Sequence, residues 1–124
     1  LPDEVPTKAF IEKWACKRIV LPVVDGEDLR LRLYSPDKLA EGYMGIMEPS
    51  EDAEEIETEA IDLALVPGVA FTCNGARLGR GKGFYDRLLP RLSCPKVGIS
   101  FPCQLVEDIP LDPWDVLLDA VICR

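Results

Sequence analysis

Three glycines at alternate positions, Gly79, Gly81 and Gly83, carry Arg80 and Lys82 between them and follow closely on Arg77. Glycine has no Cβ, so successive backbone N–H groups can converge on an anion there, and the interleaved cations supply full positive charge. An apolar run precedes the loop (Ile61, Leu63, Leu65, Val66, then Pro67-Gly68), and a helical pattern over Gly83–Leu92 follows at once (Phe84, Leu88, Leu89, Leu92). Strand, glycine-rich loop, helix is the order in which α/β proteins build phosphate sites, the helix N-terminus adding partial positive charge. The Gly-x-Gly-x-Gly spacing fits neither the dinucleotide fingerprint nor the Walker loop. A plain connector can have the same glycines. The cations and the following helix favour a phosphate or carboxylate site.

Carboxylates nearby could complete such a site. Asp86 falls in the first turn of the expected helix, where any Asp gains about 0.3–1 kcal/mol from the dipole. Beside a phosphate loop it can instead hold magnesium, directly or through water. Asp115 lies in a loop before the last expected strand, and Asp112 next to it reads as a turn residue. The chain has no histidine, so acid–base work or metal binding falls to carboxylates, Tyr or Lys, and a bound divalent ion would be hard, magnesium above all.

Composition narrows the classes. The 124 residues are 48% hydrophobic and 29% charged, enough for one domain with a real core. The net charge of −8 argues against a nucleic-acid surface or an anionic membrane as partner. No apolar run approaches membrane-spanning length, and LPDEVPTK has neither the basic nor the apolar region of a signal peptide. Five widely spaced cysteines without a Cys-x-x-Cys pair fit reduced thiols in a cytoplasm rather than zinc or a disulfide framework. Cys73, close to the loop, reads as a small buried residue rather than a nucleophile.

The elements that must hold these residues follow from periodicity. Thr7 can cap a helix to about Lys17 with Phe10, Ile11 and Trp14 on its apolar stripe, Trp14 serving core packing. Arg18–Val24 reads as a buried strand ending near Pro22, Asp25-Gly26 as a turn, and Asp28–Tyr34 as a half-exposed strand. Ser35-Pro36 opens a helical turn, Gly42–Pro49 is loop, and Glu51–Glu59 is a solvated, self-repelling connector. Ile61–Val66 is expected as the central buried strand feeding the site. Lys96–Phe101 and Asp119–Cys123 supply two more strands. Strands alternating with helices predict a mostly parallel sheet covered on both faces.

The longer string VPGVAF, then NGARLGRGKGFYDR, resembles the signature of the 5-formyltetrahydrofolate cyclo-ligase (methenyltetrahydrofolate synthetase) family. The resemblance continues through LPDEVPT at Leu1–Thr7, a VLP strand near Val20–Pro22, GIMEP at Gly45–Pro49, IDLALVPG at Ile61–Gly68 and the final DPWDVLLDAVI. It implies one domain over residues 1–124 with a three-layer α/β/α, Rossmann-like fold. The family's N-terminal portion, with a first strand and a helix carrying a Lys and an Arg for ATP, has no counterpart in these residues.

The implied reaction is ATP-driven cyclisation of 5-formyltetrahydrofolate to 5,10-methenyltetrahydrofolate, with ATP and Mg2+ required. By the same resemblance Arg77, Leu78, Gly79, Arg80, Gly81, Lys82, Gly83, Phe84 and Tyr85 wrap the ATP phosphates. Glu4 and the stretch Arg80 to Phe84 face the folate, polyglutamylated or not, and Asp86 and Asp115 bind magnesium. Lys82, with Arg80 and Tyr85, serves the transferred phosphoryl group. Phe84 stands where many members have Tyr, Thr72 replaces the usual Asp, and Trp114 precedes Asp115 where His is common. A cytoplasmic monomer without nucleic-acid or membrane partners is implied. An inactive nucleotide- or folate-binding relative is the competing reading, favoured by the lack of the Lys/Arg helix. An RNA contact through residues 80–83 is opposed by the acidic balance.

Overall fold

The computed structural model describes residues 8–14, 17–42, 47–113 and 115–123. The chain divides into two compact units, Thr7–Ala60 and Ile61–Arg124, the latter grouped with Leu1–Pro6. Glu4, Thr7, Cys16, Gly45 and Trp114 lie outside the described residues.

In the first unit α1 (Lys8–Lys13) is followed by the hairpin β1 (Val20–Asp25) and β2 (Asp28–Leu33). Gly26, at φ +63°, turns the chain between them. The alternation DLRLRL works as expected, with Leu29 and Leu31 buried and Arg30 facing solvent. β1 runs past Pro22 to Asp25 and is only half-buried, a correction to the expected buried strand ending at the proline. Tyr34 N donates to Ile19 O at 2.7 Å, so the bonded pairs fall at Leu21/Arg32 and Val23/Arg30. Pro22 therefore sits in a pair without ladder bonds, where its missing N–H costs nothing.

The segment expected as loop contains a strand. β3 (Leu39–Glu41) pairs antiparallel with β4 (Met47–Pro49), and Ser50 N closes the hairpin on Lys38 O at 2.8 Å. The acidic connector is not self-repelling solvated chain. Leu33 N bonds Glu54 O, Ile56 N bonds Leu31 O, and Arg30 reaches Glu55 at 3.2 Å. Ala53 and Ile56 are buried while the carboxylates stay outside, so the run is strapped along β2. Asp25 also pairs with Arg30, holding that guanidinium pKa above its ordinary value. Trp14 is 40% exposed, so its expected core role does not hold. The helix beneath it stops at Lys13.

The second unit holds the loop. β5 (Ala64–Val66), β8 (Lys96–Ser100) and β9 (Ala120–Cys123) form a parallel sheet in the order β5-β8-β9. Its middle strand is β8, not β5 as expected. Between β5 and β8 lie β6 (Ala70–Phe71) and β7 (Arg77–Leu78), an antiparallel pair, and then α2 (Phe84–Leu88). Parallel strands joined through a helix make the fold α/β. Among the described residues, however, six of nine strands pair antiparallel, so the sheets are mixed and not mostly parallel. Tight turns such as Asp25-Gly26 close hairpins that only antiparallel strands can use.

Phe71, fully buried, packs with Leu118 over Gly98, where an added Cβ would lie 2.8 Å from both side chains. Val66, Ala76, Leu88, Leu89, Leu92 and Ile109 complete this core. Among the described residues no helix is long and apolar enough to cross a membrane. Gly98→Ala should destabilise the protein by about 1–3 kcal/mol, the usual cost of overpacking. A shift of the urea midpoint at constant slope checks it, and an unchanged midpoint would mean that the ring is not seated there.

Candidate active site at the glycine-rich loop

The loop is entered through a capped hairpin. Thr72 N bonds Ala76 O, and the Thr72 hydroxyl accepts from Ala76 N, both at 3.0 Å, while donating to Asn74. Gly75 turns the chain at φ +98°, and its bare backbone lies against Leu118 O. Thr72 thus supplies the oxygen that an Asp would supply at this turn. Cys73 is exposed here, against the expectation of burial; among the described residues the buried thiol is Cys94. A turn tip leaves its side chain outside whatever its hydrophobicity.

Residues 79–83 then run through two left-handed glycines, Gly81 at φ +87° and Gly83 at φ +75°. Gly83 is the N-cap of α2 and offers no side-chain oxygen to it. α2 itself is five residues long and gives way to a 3-10 turn at Leu89–Arg91. Pro90 ends the helix because it brings no N–H, so the expected helix to Leu92 is too long. A helix this short has little dipole, and positive charge at the loop must come from side chains and loop N–H groups.

Four basic side chains meet the loop, in two different ways. Arg80 and Lys82 are exposed. Arg77, at the start of β7, has a side chain only 9% exposed. Its Nε donates to Pro67 O at 2.6 Å, and its guanidinium lies 4.9 Å from the Tyr85 ring centre. Arg87, which carried no expected role, donates from Nη2 to Lys82 O at 3.2 Å and lies 5.8 Å from the Phe84 ring. Its spacing of three from Phe84 on a helix was the legible signal. Gln104, also missed, is buried, donating to Gly68 O at 3.0 Å and accepting from Phe101 N at 2.8 Å.

The two expected metal carboxylates come together. Asp86 and Asp115 line one cleft of about 20 Å3 with Arg77, Leu89, Leu111 and Val116. Arg77 Nη1 stands 3.8 Å from Asp86 Oδ1. Asp115 Oδ2 accepts from Asp112 N at 2.8 Å, and Asp115 N bonds Asp112 O at 3.0 Å. Asp112 is therefore the turn partner that orients Asp115. Two carboxylates are hard oxygen donors suited to Mg2+. Among the described residues no group of three or more His, Cys, Asp or Glu could form an all-protein cage. That donor count suits an ion held jointly with substrate phosphates and water.

The model of the 5-formyltetrahydrofolate cyclo-ligase family matches residues 1–124. The chain belongs to this family. It is 38% identical over 129 residues to the 5-formyltetrahydrofolate cyclo-ligase of Escherichia coli (strain K12), covering 96% of this chain and 71% of that protein. To the cyclo-ligase of Haemophilus influenzae it is 37% identical over 125 residues, covering 93% and 67%. Its structure is similar to that of Aquifex aeolicus 5,10-methenyltetrahydrofolate synthetase, with TM-score 0.84 and 40% identity over 97% of this chain. A synthetase of the same name from Mycoplasma pneumoniae gives TM-score 0.74 and 32% identity over 98% of it. The chain spans 62% of the length of the Aquifex chain and 67% of the Mycoplasma one.

Thr72→Val removes the acceptor for the buried Ala76 N–H and should cost about 1–3 kcal/mol. Thr72→Ser keeps the oxygen and should cost less. Equal losses in urea unfolding would show that the hydroxyl does not cap the turn.

Proposed function

We propose that this chain carries out the ATP- and magnesium-dependent cyclisation of 5-formyltetrahydrofolate to 5,10-methenyltetrahydrofolate, releasing ADP and phosphate. Family membership supports the reaction. One observation ties it to atoms: Asp86, Asp115 and Arg77 line a single cleft beside a loop that turns Arg80 and Lys82 toward solvent.

In this reading the backbone of residues 77–85, with Arg80 and Lys82, cradles the polyphosphate. The formyl oxygen of the folate attacks the γ-phosphorus as the bond to ADP breaks. N10 then closes on the activated formyl carbon and gives up its proton, and phosphate departs with the oxygen. An amide-like oxygen is a poor leaving group, which is why phosphorylation comes first. The protein's part is positioning and charge balance, the main requirements of phosphoryl transfer.

Lys82 and Arg80 face the charge on the transferred group, with Tyr85 beside them. Phe84 offers an aromatic face to the pterin, and Glu4 contacts the folate. Asp86 and Asp115 hold Mg2+, which when bound neutralises charge on the polyphosphate. The fuller reading is one three-layer α/β/α domain over residues 1–124, acting as a cytoplasmic monomer that also takes polyglutamylated folate.

The test is spectrophotometric, with purified protein, MgATP and 5-formyltetrahydrofolate. Methenyl product should appear only with ATP. Lys82→Ala and Asp86→Asn should each lower kcat by at least about a hundredfold, on the scale of losing one transition-state donor. Both are surface changes that should leave the melting curve in place. Unchanged turnover in both variants would move the site elsewhere. A wild-type protein that binds ATP but makes no product would be the inactive relative.

A further inference from the structure

Arg77 is the residue whose surroundings least match a phosphate ligand. A cation that grips phosphate keeps its fork donors for the ligand. Here Nε is committed to Pro67 O at 2.6 Å, one face lies 4.9 Å from the Tyr85 ring, and the side chain is 9% exposed. Its contacts join three places along the strand, loop and helix. Pro67 directly follows β5, Gly79 begins the glycine loop, and Tyr85 and Asp86 form the first turn of α2.

Gly79 fits the same picture. Unlike Gly81 and Gly83 it is not at positive φ. A Cβ there would lie 3.1 Å from both Nη1 and Nη2 of Arg77. The guanidinium cannot easily retreat, because Nε is hydrogen-bonded and the plane rests against a ring. A side chain at residue 79 would therefore have to push the guanidinium back by a few tenths of an ångström.

The 3.8 Å ion pair to Asp86, itself 63% exposed, is too open to carry the arrangement. The hydrogen bond and the ring contact fix the guanidinium, and through Tyr85, the neighbour of Asp86, they fix the turn of α2 from which the Asp86 carboxylate projects. We infer that Arg77 is a positioning residue, a strut that ties the end of β5 to the first turn of α2 through the Tyr85 ring and so aims Asp86 into the cleft. The part of this inference that concerns metal rests on the proposed function; the strut itself does not.

The experiment uses Arg77→Lys, which keeps the charge but loses the planar fork, together with Gly79→Ala and the double variant. Hydrogen exchange is followed in the ligand-free protein at the amides of Arg87 and Leu89, which bond Gly83 O and Tyr85 O. Each single variant should speed these amides about tenfold more than it speeds those of β8. The double variant should add little, since both changes act on one contact.

A role confined to phosphate binding predicts wild-type exchange in the absence of ligand, and that result would overturn the strut. In parallel, Mn2+ binding with ATP present is measured by electron paramagnetic resonance. Arg77→Lys should weaken it by about 10–100-fold, as losing an outer-sphere partner does. Wild-type Mn2+ affinity in that variant would overturn the aiming of Asp86. Failure of the wild-type protein itself to bind Mn2+ would instead count against the proposed function, with the exchange result still deciding the strut.

Discussion

The packing of Phe71 and Leu118 on the bare backbone of Gly98 is the contact on which the site depends. Phe71 is fully buried and belongs to β6. Seating its ring against the middle strand of the parallel sheet fixes the β6–β7 hairpin there. That hairpin delivers the glycine loop, and Leu118 leads into β9 from the segment that contains Asp115. One packing contact therefore helps to bring onto one cleft two carboxylates that the sequence keeps far apart. Interiors are close-packed, so such a contact has little tolerance for an added methyl group.

Around this contact the backbone polar groups are satisfied by side chains rather than by longer strands. β5 has only three residues, and the carbonyls just beyond it, Pro67 and Gly68, accept from Arg77 and Gln104. The Thr72 hydroxyl does the same for the hairpin. Among the described residues no buried side-chain N or O lacks a partner. A loop that must expose glycines to a ligand is mobile by composition; here both of its ends are tied to structured neighbours.

Much of this was legible in the sequence, and the exceptions have physical causes. The glycine string, the following helix and the last strand were readable because each depends on local chemistry. Asp86 and Asp115 were assigned through the family resemblance and then found on one cleft. The β3–β4 hairpin was missed because its pairing is decided by backbone bonds such as Ser50 N to Lys38 O, which leave no mark in composition. The acidic run looked solvated because its charges hide two buried apolar residues, Ala53 and Ile56. Helix length was overread past Pro90, a signal that was present. The difference between Arg77 and Arg80 had no sequence signal at all, since burial of one arginine among several depends on which ring lies beneath it.

The burial of Arg77 among otherwise exposed cations has a kinetic consequence. With a net charge of −8, the far field of this chain repels a polyphosphate, and only Arg80 and Lys82 face it from the loop. Capture is then a short-range event that follows encounter rather than long-range steering. Added salt screens the general repulsion as well as the local attraction. The association rate of the nucleotide should consequently be modest and nearly flat with ionic strength, and selectivity among anions should reside in how long each one stays.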